Sequence, residues 1–450
     1  MKVTPNRNHR FRILSGPVCC DLGNAKVDVM FTDVSELIAV NPPSLDAGVV
    51  VCDLDGDGVM ELVIAGSPGR VLKWVQGAMR EVPFPMFGSK NLASIGVAAA
   101  DLDGDGREEL FVATEAGSHL WRQQPDGQWA DLFSRMADIE AMKTIVVMDR
   151  RGTGRYGVFV AGQGWEFTGT GRLVNVAPSL KLDTLRVPQW AGMFVSDRCD
   201  FIVDGQVFKN LGDGRFENAS ADYRLQAPQD WTHVTVLDAD CDGRLDLCAT
   251  SRNGAHRLLV RQIDGTFRDR ATPALGMPSA VRSVVVADFD NDGFEELFFH
   301  NHAEPNRLFR MPECRLHDCG AASEPEGAGT AVTVADFEGD GQLELLLLHG
   351  ESATQPLSLF KTSPNGNGWL RVQPLTRFGA PARGARVRLK AGGREQLRVI
   401  DSASCEPVAH FGLGKVETVD SVTITWLDGA TRTLTSPALR QTLQVEYPFG

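Results

Sequence analysis

No apolar run in these 450 residues approaches the roughly 18–20 needed to span a bilayer. The opening stretch, MKVTPNRNHRFRILSGPVCC, has basic side chains but no continuous apolar core of about 7–15 residues, so it does not read as a secretory leader. Catalytic signatures are missing too: there is no HExxH, no GxSxG, no P-loop and no GxGxxG after a strand. His410, in HFGLG, has no orienting acid or nucleophile beside it and is expected to be a hydrogen-bonded structural residue. Trp369 and Trp426 read as core aromatics of a small β-domain, and Asp428-Gly429 as a hairpin turn. Nine cysteines cannot all pair internally. The spacing of Cys314 and Cys319 in ECRLHDC suits a small disulfide, and Cys52 and Cys248 fall in strands as buried thiols. The cysteines leave the compartment open, so the sequon Asn218-Ala219-Ser220 is usable only if the chain is secreted.

What the chain does have is acid in a fixed pattern. Five nine-residue loops, DLDGDGVME, DLDGDGREE, DADCDGRLD, DFDNDGFEE and DFEGDGQLE, carry carboxylates at positions one, three, five and nine. These are Asp53, Asp55, Asp57 and Glu61; Asp101, Asp103, Asp105 and Glu109; Asp238, Asp240, Asp242 and Asp246; Asp288, Asp290, Asp292 and Glu296; Asp336, Glu338, Asp340 and Glu344. Four carboxylates in one tight turn repel each other unless a hard cation sits among them. Oxygen-only ligands, with no His and no usable Cys, point to calcium, about five ions in all. Cys241, at position four of its loop, is too soft and badly placed to be a ligand. Glycine at position six (Gly58, Gly106, Gly243, Gly293, Gly341) permits the sharp turn, and the position-seven carbonyl is the expected fifth protein ligand.

An EF-hand would need a bidentate Glu at position twelve and flanking helices. The twelfth residues here are Ile64, Val112, Ala249, Phe299 and Leu347, and the flanks (GVVVC, ELVIAG, SVVVA, ELFFH) read as strands of hairpins. Two weaker copies start at Asp149 and Asp197 and have gained Arg150, Arg151 and Arg198, so they are read as metal-free. The seven starts, 53, 101, 149, 197, 238, 288 and 336, recur every 41–50 residues, the length of a four-stranded propeller blade. A second signal, DGQWAD, DGRFEN and DGTFRD from Asp126, Asp213 and Asp264, marks outer strands, with a spare copy in MFTDV around Phe31. The expected fold is all-β: a seven-bladed β-propeller over 30–366, closed by its N-terminal strand, then a small β-domain over 367–448. Residues 1–29 are expected to be a disordered tail.

The net charge of −13 is largely a property of the loops. Their twenty acids leave 38 Asp and Glu against 45 Lys and Arg, and five calcium ions would bring the charge to about −3. Nothing in that balance implies nucleic acid.

The strand-flanked D-x-D-x-D-G repeats resemble FG-GAP/VCBS repeats, the units of integrin α-subunit propellers. GWLRVQPLTRFGAPARGARVRLKAGG followed by EPVAHFGLGKVETVDSVTITWLDGATRTL resembles the ASPIC/UnbV domain. The pairing, over roughly Met30 to Pro448, is similar to the cartilage acidic protein 1 family. Two departures stand out: only DSASC lies between Ile400 and Glu406, where that family has a longer Gly-rich stretch, and these 450 residues do not include the EGF-like module of its longer members. The resemblance implies a calcium-binding, non-catalytic adhesion or protein-interaction protein, extracellular or at the cell surface, with a protein or glycan partner. The alternatives are a propeller-based enzyme or carbohydrate-binding module using the central channel, and an intracellular protein.

Overall fold

The structure, a computed structural model, describes residues 19–22, 25–28, 31–85, 93–132, 145–160, 163–169, 171–176, 191–195, 199–203, 206–225, 231–251, 254–322, 324, 327–400 and 405–449. Among these residues every regular element is a strand except two single 3₁₀ turns, Ser35–Leu37 and Pro312–Cys314.

Between Phe31 and Thr362 the described residues form seven four-stranded antiparallel sheets. The first contains Leu45–Cys52, Glu61–Ser67, Arg70–Val75 and Ala78–Val82; the next five begin at Ser94, Ile145, Ala191, Trp231 and Val281. In the last sheet Gly329–Ala335, Glu344–His349 and Ser358–Thr362 are completed by Phe31–Asp33 from the other end of the chain, in the register Phe31↔Thr362. The second strand of most sheets is a continuous apolar run (LVIA, LFVA, LFF, LLLL) buried on both faces, because each sheet is packed between two neighbours. The core therefore lies between sheets. Val50 and Val63 pack with Leu110 and Val112 of the next sheet, and Val285 and Phe298 with Leu345 and Leu347. Val49, Leu62 and Ile64 of the first sheet pack with Leu346, Leu348 and Leu359 of the last, which closes the ring. Phe31 adds edge-on contacts to Phe289 and Phe298 at 5.1 and 6.1 Å between centroids.

The C-terminal part is two sheets face to face. Gly368–Pro374, Ala409–Gly414 and Thr442–Val445 form one; Arg386–Ala391, Arg394–Val399, Val419–Thr425 and Thr431–Thr435 form the other. Val372, Val387, Leu389, Phe411, Val422, Ile424 and Trp426 fill the space between them. The Trp426 indole N–H donates to the Leu375 carbonyl at 2.8 Å, and Gly429 turns the last hairpin at φ +87°.

Three expectations need correction. Cys314 is bonded to Cys241, not to Cys319: Cys314 sits on the 3₁₀ turn, whereas Cys319 lies buried in the strand His317–Ala322. Within the stretch expected to be a disordered tail, Cys19–Leu22 and Ala25–Asp28 pair as a hairpin. The frame begun at Asp197, which itself lies outside the described residues, does not hold. Strands Ala191–Val195 and Cys199–Val203 leave only residues 196–198 between them, too few for a nine-residue loop. Asp200 takes the place of the ninth acid, accepting the Asn210 N–H at 3.0 Å as Asp246 accepts that of Arg261 at 2.7 Å.

Candidate metal loops and the domain seated on them

Each acidic loop links the first strand of its sheet to the second, and the same internal bonds recur. The first Asp accepts the N–H of the position-six glycine: Gly58 to Asp53 at 2.9 Å, Gly106 to Asp101 at 3.0 Å, Gly243 to Asp238 at 3.0 Å, Gly293 to Asp288 at 2.9 Å and Gly341 to Asp336 at 2.8 Å. The ninth acid reaches back to the N–H of position two, as Glu61 does to Leu54 and Glu109 to Leu102, both at 2.7 Å. The fifth acid accepts the position-seven N–H, Asp57 from Val59 and Asp105 from Arg107, each at 2.9 Å. In four loops both oxygens of the first Asp accept backbone N–H groups, as do both of Asp246, whereas Glu61, Glu109, Glu296 and Glu344 each place one oxygen on the turn and keep the other, Oε1, buried in the interior.

Four loops bring three acids within 4.8 Å of one another: Asp53, Asp55 and Asp57; Asp101, Asp103 and Glu109; Asp238, Asp240 and Asp246; Asp288, Asp290 and Glu296. In the Asp336 loop Lys361 Nζ stands among Glu338, Asp340 and Glu344 at 3.0, 2.9 and 3.1 Å. Burial pushes Glu109 up to about 9, with Asp103 adding to the rise, and Asp101 and Asp246 each to about 7. Glu109 Oε1 and Asp53 Oδ1 are buried without a hydrogen-bond partner. Carboxylates whose burial outweighs the backbone N–H groups that face them, gathered at one point, fit a hard divalent cation. At Asp149 the turn survives, with Gly154 N–H on the first acid, but Arg151, Thr153 and Gly157 fill positions three, five and nine. Arg150 there pairs with Glu166 across the sheet, with Nη2 to Oε2 at 2.9 Å.

The sequence reading missed what covers these loops. The C-terminal sandwich sits on them, contacting four of the five. Gly412 N–H donates to Asp288 Oδ2 at 2.9 Å, Arg388 donates to the Gly243 carbonyl at 2.7 Å, and Arg371 Nη1 lies 3.2 Å from Asp336 Oδ2. Asn367 donates to the Asp290 carbonyl at 2.8 Å, and the His410 ring meets Asn291 Oδ1 at 2.6 Å. Arg383, 1% exposed, donates to Glu108 Oε1 at 2.9 Å and to the Val51 carbonyl at 3.2 Å. Arg398 Nε lies 3.2 Å from Glu295 Oε1. Position-six glycines serve this contact as well as the turn: a Cβ on Gly341 would lie 1.9 Å from the Trp369 ring, and one on Gly106 would lie 2.4 Å from the Phe378 carbonyl. The only local hint was a second Glu at position eight, Glu108 and Glu295, in two of the loops.

Acid-bearing hairpin loops on a ring of four-stranded sheets, capped by a small β-sandwich, define an FG-GAP-type propeller protein with an ASPIC/UnbV domain. Residues 242–299 match the FG-GAP-like repeat model and residues 376–449 match the ASPIC and UnbV model. The chain belongs to the cartilage acidic protein 1 family: it is 36% identical to cartilage acidic protein 1 of Homo sapiens over 95% of its length and 76% of that protein's. It is 35% identical to the Mus musculus protein over 95% and 78%. Among solved structures, BBS1N in complex with ARL6DN superposes with a TM-score of 0.45 at 14% identity, covering 78% of this chain and 98% of that one, too weak a likeness to argue from. No helix among the described residues is long and apolar enough to cross a membrane.

Proposed function

We propose that this chain is a calcium-stabilised, non-catalytic binding protein of the extracellular space, whose acidic loops hold the ions and whose partner is a protein or glycan. The observation that carries the reading is the inward carboxylate set of the Asp101 loop, where Glu109 Oε1 is buried without a donor. Val59, Arg107, Arg244, Phe294 and Gln342 would add their position-seven carbonyls. The ions act as scaffolding, since each would fix a loop on which the C-terminal sandwich rests. With that rim occupied, the partner surface is the opposite rim and its loops. The Cys241–Cys314 disulfide favours an oxidising compartment, and the relatives carry a cartilage name.

Melting the protein in chelator and in millimolar calcium tests the metal reading: a large loss of stability in chelator is expected, since an ion at 100 times its Kd adds about 2.7 kcal/mol per site. Superimposable curves would remove calcium from the account. Capture from extracellular material, with and without calcium, tests the binding reading.

A further inference from the structure

Strand pairing fixes which residue stands beside the ninth acid of each loop. Glu61 pairs with Lys73, and Glu344 with Lys361. The registers Leu110↔Trp121 and Leu297↔Phe309 place Arg122 beside Glu109 and Arg310 beside Glu296. In the Asp238 loop the register Leu247↔Leu259 sets Val260 beside Asp246. Cross-strand neighbours project to the same side of a sheet, so each of these side chains is aimed at the space the ninth carboxylate faces.

They use that space differently. Lys73 Nζ lies 2.8 Å from Asp55, 2.8 Å from Asp57 and 2.5 Å from Glu61, and Lys361 repeats the arrangement. Arg310 contacts Asp290 and lies 3.4 Å from Asp292 and 3.6 Å from Glu296. Arg122 reaches only Asp103, at 2.7 Å, and leaves Asp101 and Glu109 unpaired with any cation. Val260 brings no charge, and the only cation on the acids of the Asp238 loop among the described residues is Arg244, which engages Asp242 alone. An ammonium on three carboxylates occupies the same oxygens that calcium needs at about 2.3–2.6 Å. The two cations cannot share the site without strong repulsion.

We propose that Lys73 and Lys361 are built-in counter-ions of the first and fifth loops, so that the five loops are unequal. The Asp101 and Asp238 loops take calcium tightly, the Asp53 and Asp336 loops take it only by expelling a lysine, and Arg310 makes the Asp288 loop intermediate. This rests on the calcium reading above. It also has a structural logic: the two lysine-filled loops belong to the first and last sheets, which meet at the closure formed by Val49, Leu62, Leu346 and Leu359. A tethered charge there neutralises the acids at the seam of the ring whatever the calcium level.

Calorimetric titration of the metal-stripped full chain with calcium chloride separates the possibilities. The parent chain is expected to show two tight sites and weaker binding beyond them. Lys73→Met and Lys361→Met, which keep the apolar stem, should each tighten one weak site at least 10-fold, and Val260→Lys should weaken one tight site by a similar factor. Five sites of similar affinity, unchanged in Lys73→Met and Lys361→Met, would overturn the proposal and leave the calcium reading standing. No calcium binding at all would overturn both. If the methionine variants fail to fold by circular dichroism, Val260→Lys decides: unchanged tight binding in that variant refutes the counter-ion role.

Discussion

Glu109→Gln should stabilise the metal-free protein at alkaline pH and destabilise the calcium-loaded one. Glu109 is 1% exposed, and burial, reinforced by Asp103, lifts its carboxyl from 4.5 to about 9. A folded-state value above the unfolded one means that its stabilising contribution is full below about pH 4.5. That contribution drains away as pH rises, and none remains above about 9. Each pH unit in that window costs about 1.4 kcal/mol, so at pH 7.5 Glu109 alone withholds up to about 4 kcal/mol from the metal-free fold. Water entering the loop lowers that figure. The neutral amide carries no such penalty, so metal-free Glu109→Gln should match the parent at pH 5 and exceed it by about 2–4 kcal/mol at pH 8. With calcium the order reverses, because the variant loses a charged ligand. Urea unfolding of stripped and calcium-loaded proteins at pH 5, 6.5 and 8 reads both effects. A metal-free parent whose stability is flat from pH 5 to 8, or a variant weaker than the parent at pH 8 without metal, refutes the reasoning.

Three further outcomes are expected. Gly341→Ala should lose at least 2 kcal/mol more than Gly58→Ala: both sit at positive φ, where a side chain costs about 1 kcal/mol, but only the first would drive a Cβ into Trp369; equal losses in thermal melts would mean the sandwich does not rest on the loops. A chain beginning at Gly48 lacks the strand that pairs with Ser358–Thr362 and should aggregate by light scattering, whereas one beginning at Val29 keeps that strand and should not; equal scattering by the two would sink the closure. Cys314→Ser opens a cross-link spanning 73 residues and should cost about 4 kcal/mol on loop-closure grounds, read by denaturant unfolding; an unchanged midpoint would count against it.

The acidic loops and strand-rich repeats were legible in the sequence because both rest on local spacing: acids two apart, glycine at a sharp turn, apolar runs between. The strands Trp129–Asp131, Phe216–Asn218 and Phe267–Asp269 stand where the DGxW and DGxF signals lie for the same reason. The seating of the C-terminal sandwich was not legible, since Arg371, Arg383 and Arg398 look like ordinary surface arginines until the chain brings acids more than 30 to over 270 residues away against them. The disulfide was misread because closeness in sequence suggested Cys319, whereas the fold turns Cys314 toward a neighbouring sheet. At Asp197 a shortened hairpin shifted the frame, which a fixed period cannot reveal.

The position of the sandwich bears on time as well as on affinity. Gly412 is bonded to Asp288 itself, and Trp369 lies against the turn of the Asp336 loop. Around Gly58, by contrast, a Cβ would meet nothing, and Asp55 and Asp57 are half open to water. An ion in the Asp53 loop can therefore exchange directly with solvent. One beneath the sandwich escapes only when the sandwich lifts, so its residence time is set by that opening and not by the strength of its own ligands. Two loops of equal affinity would then empty into a chelator at very different speeds, and the slower would report how often the two parts of the molecule come apart.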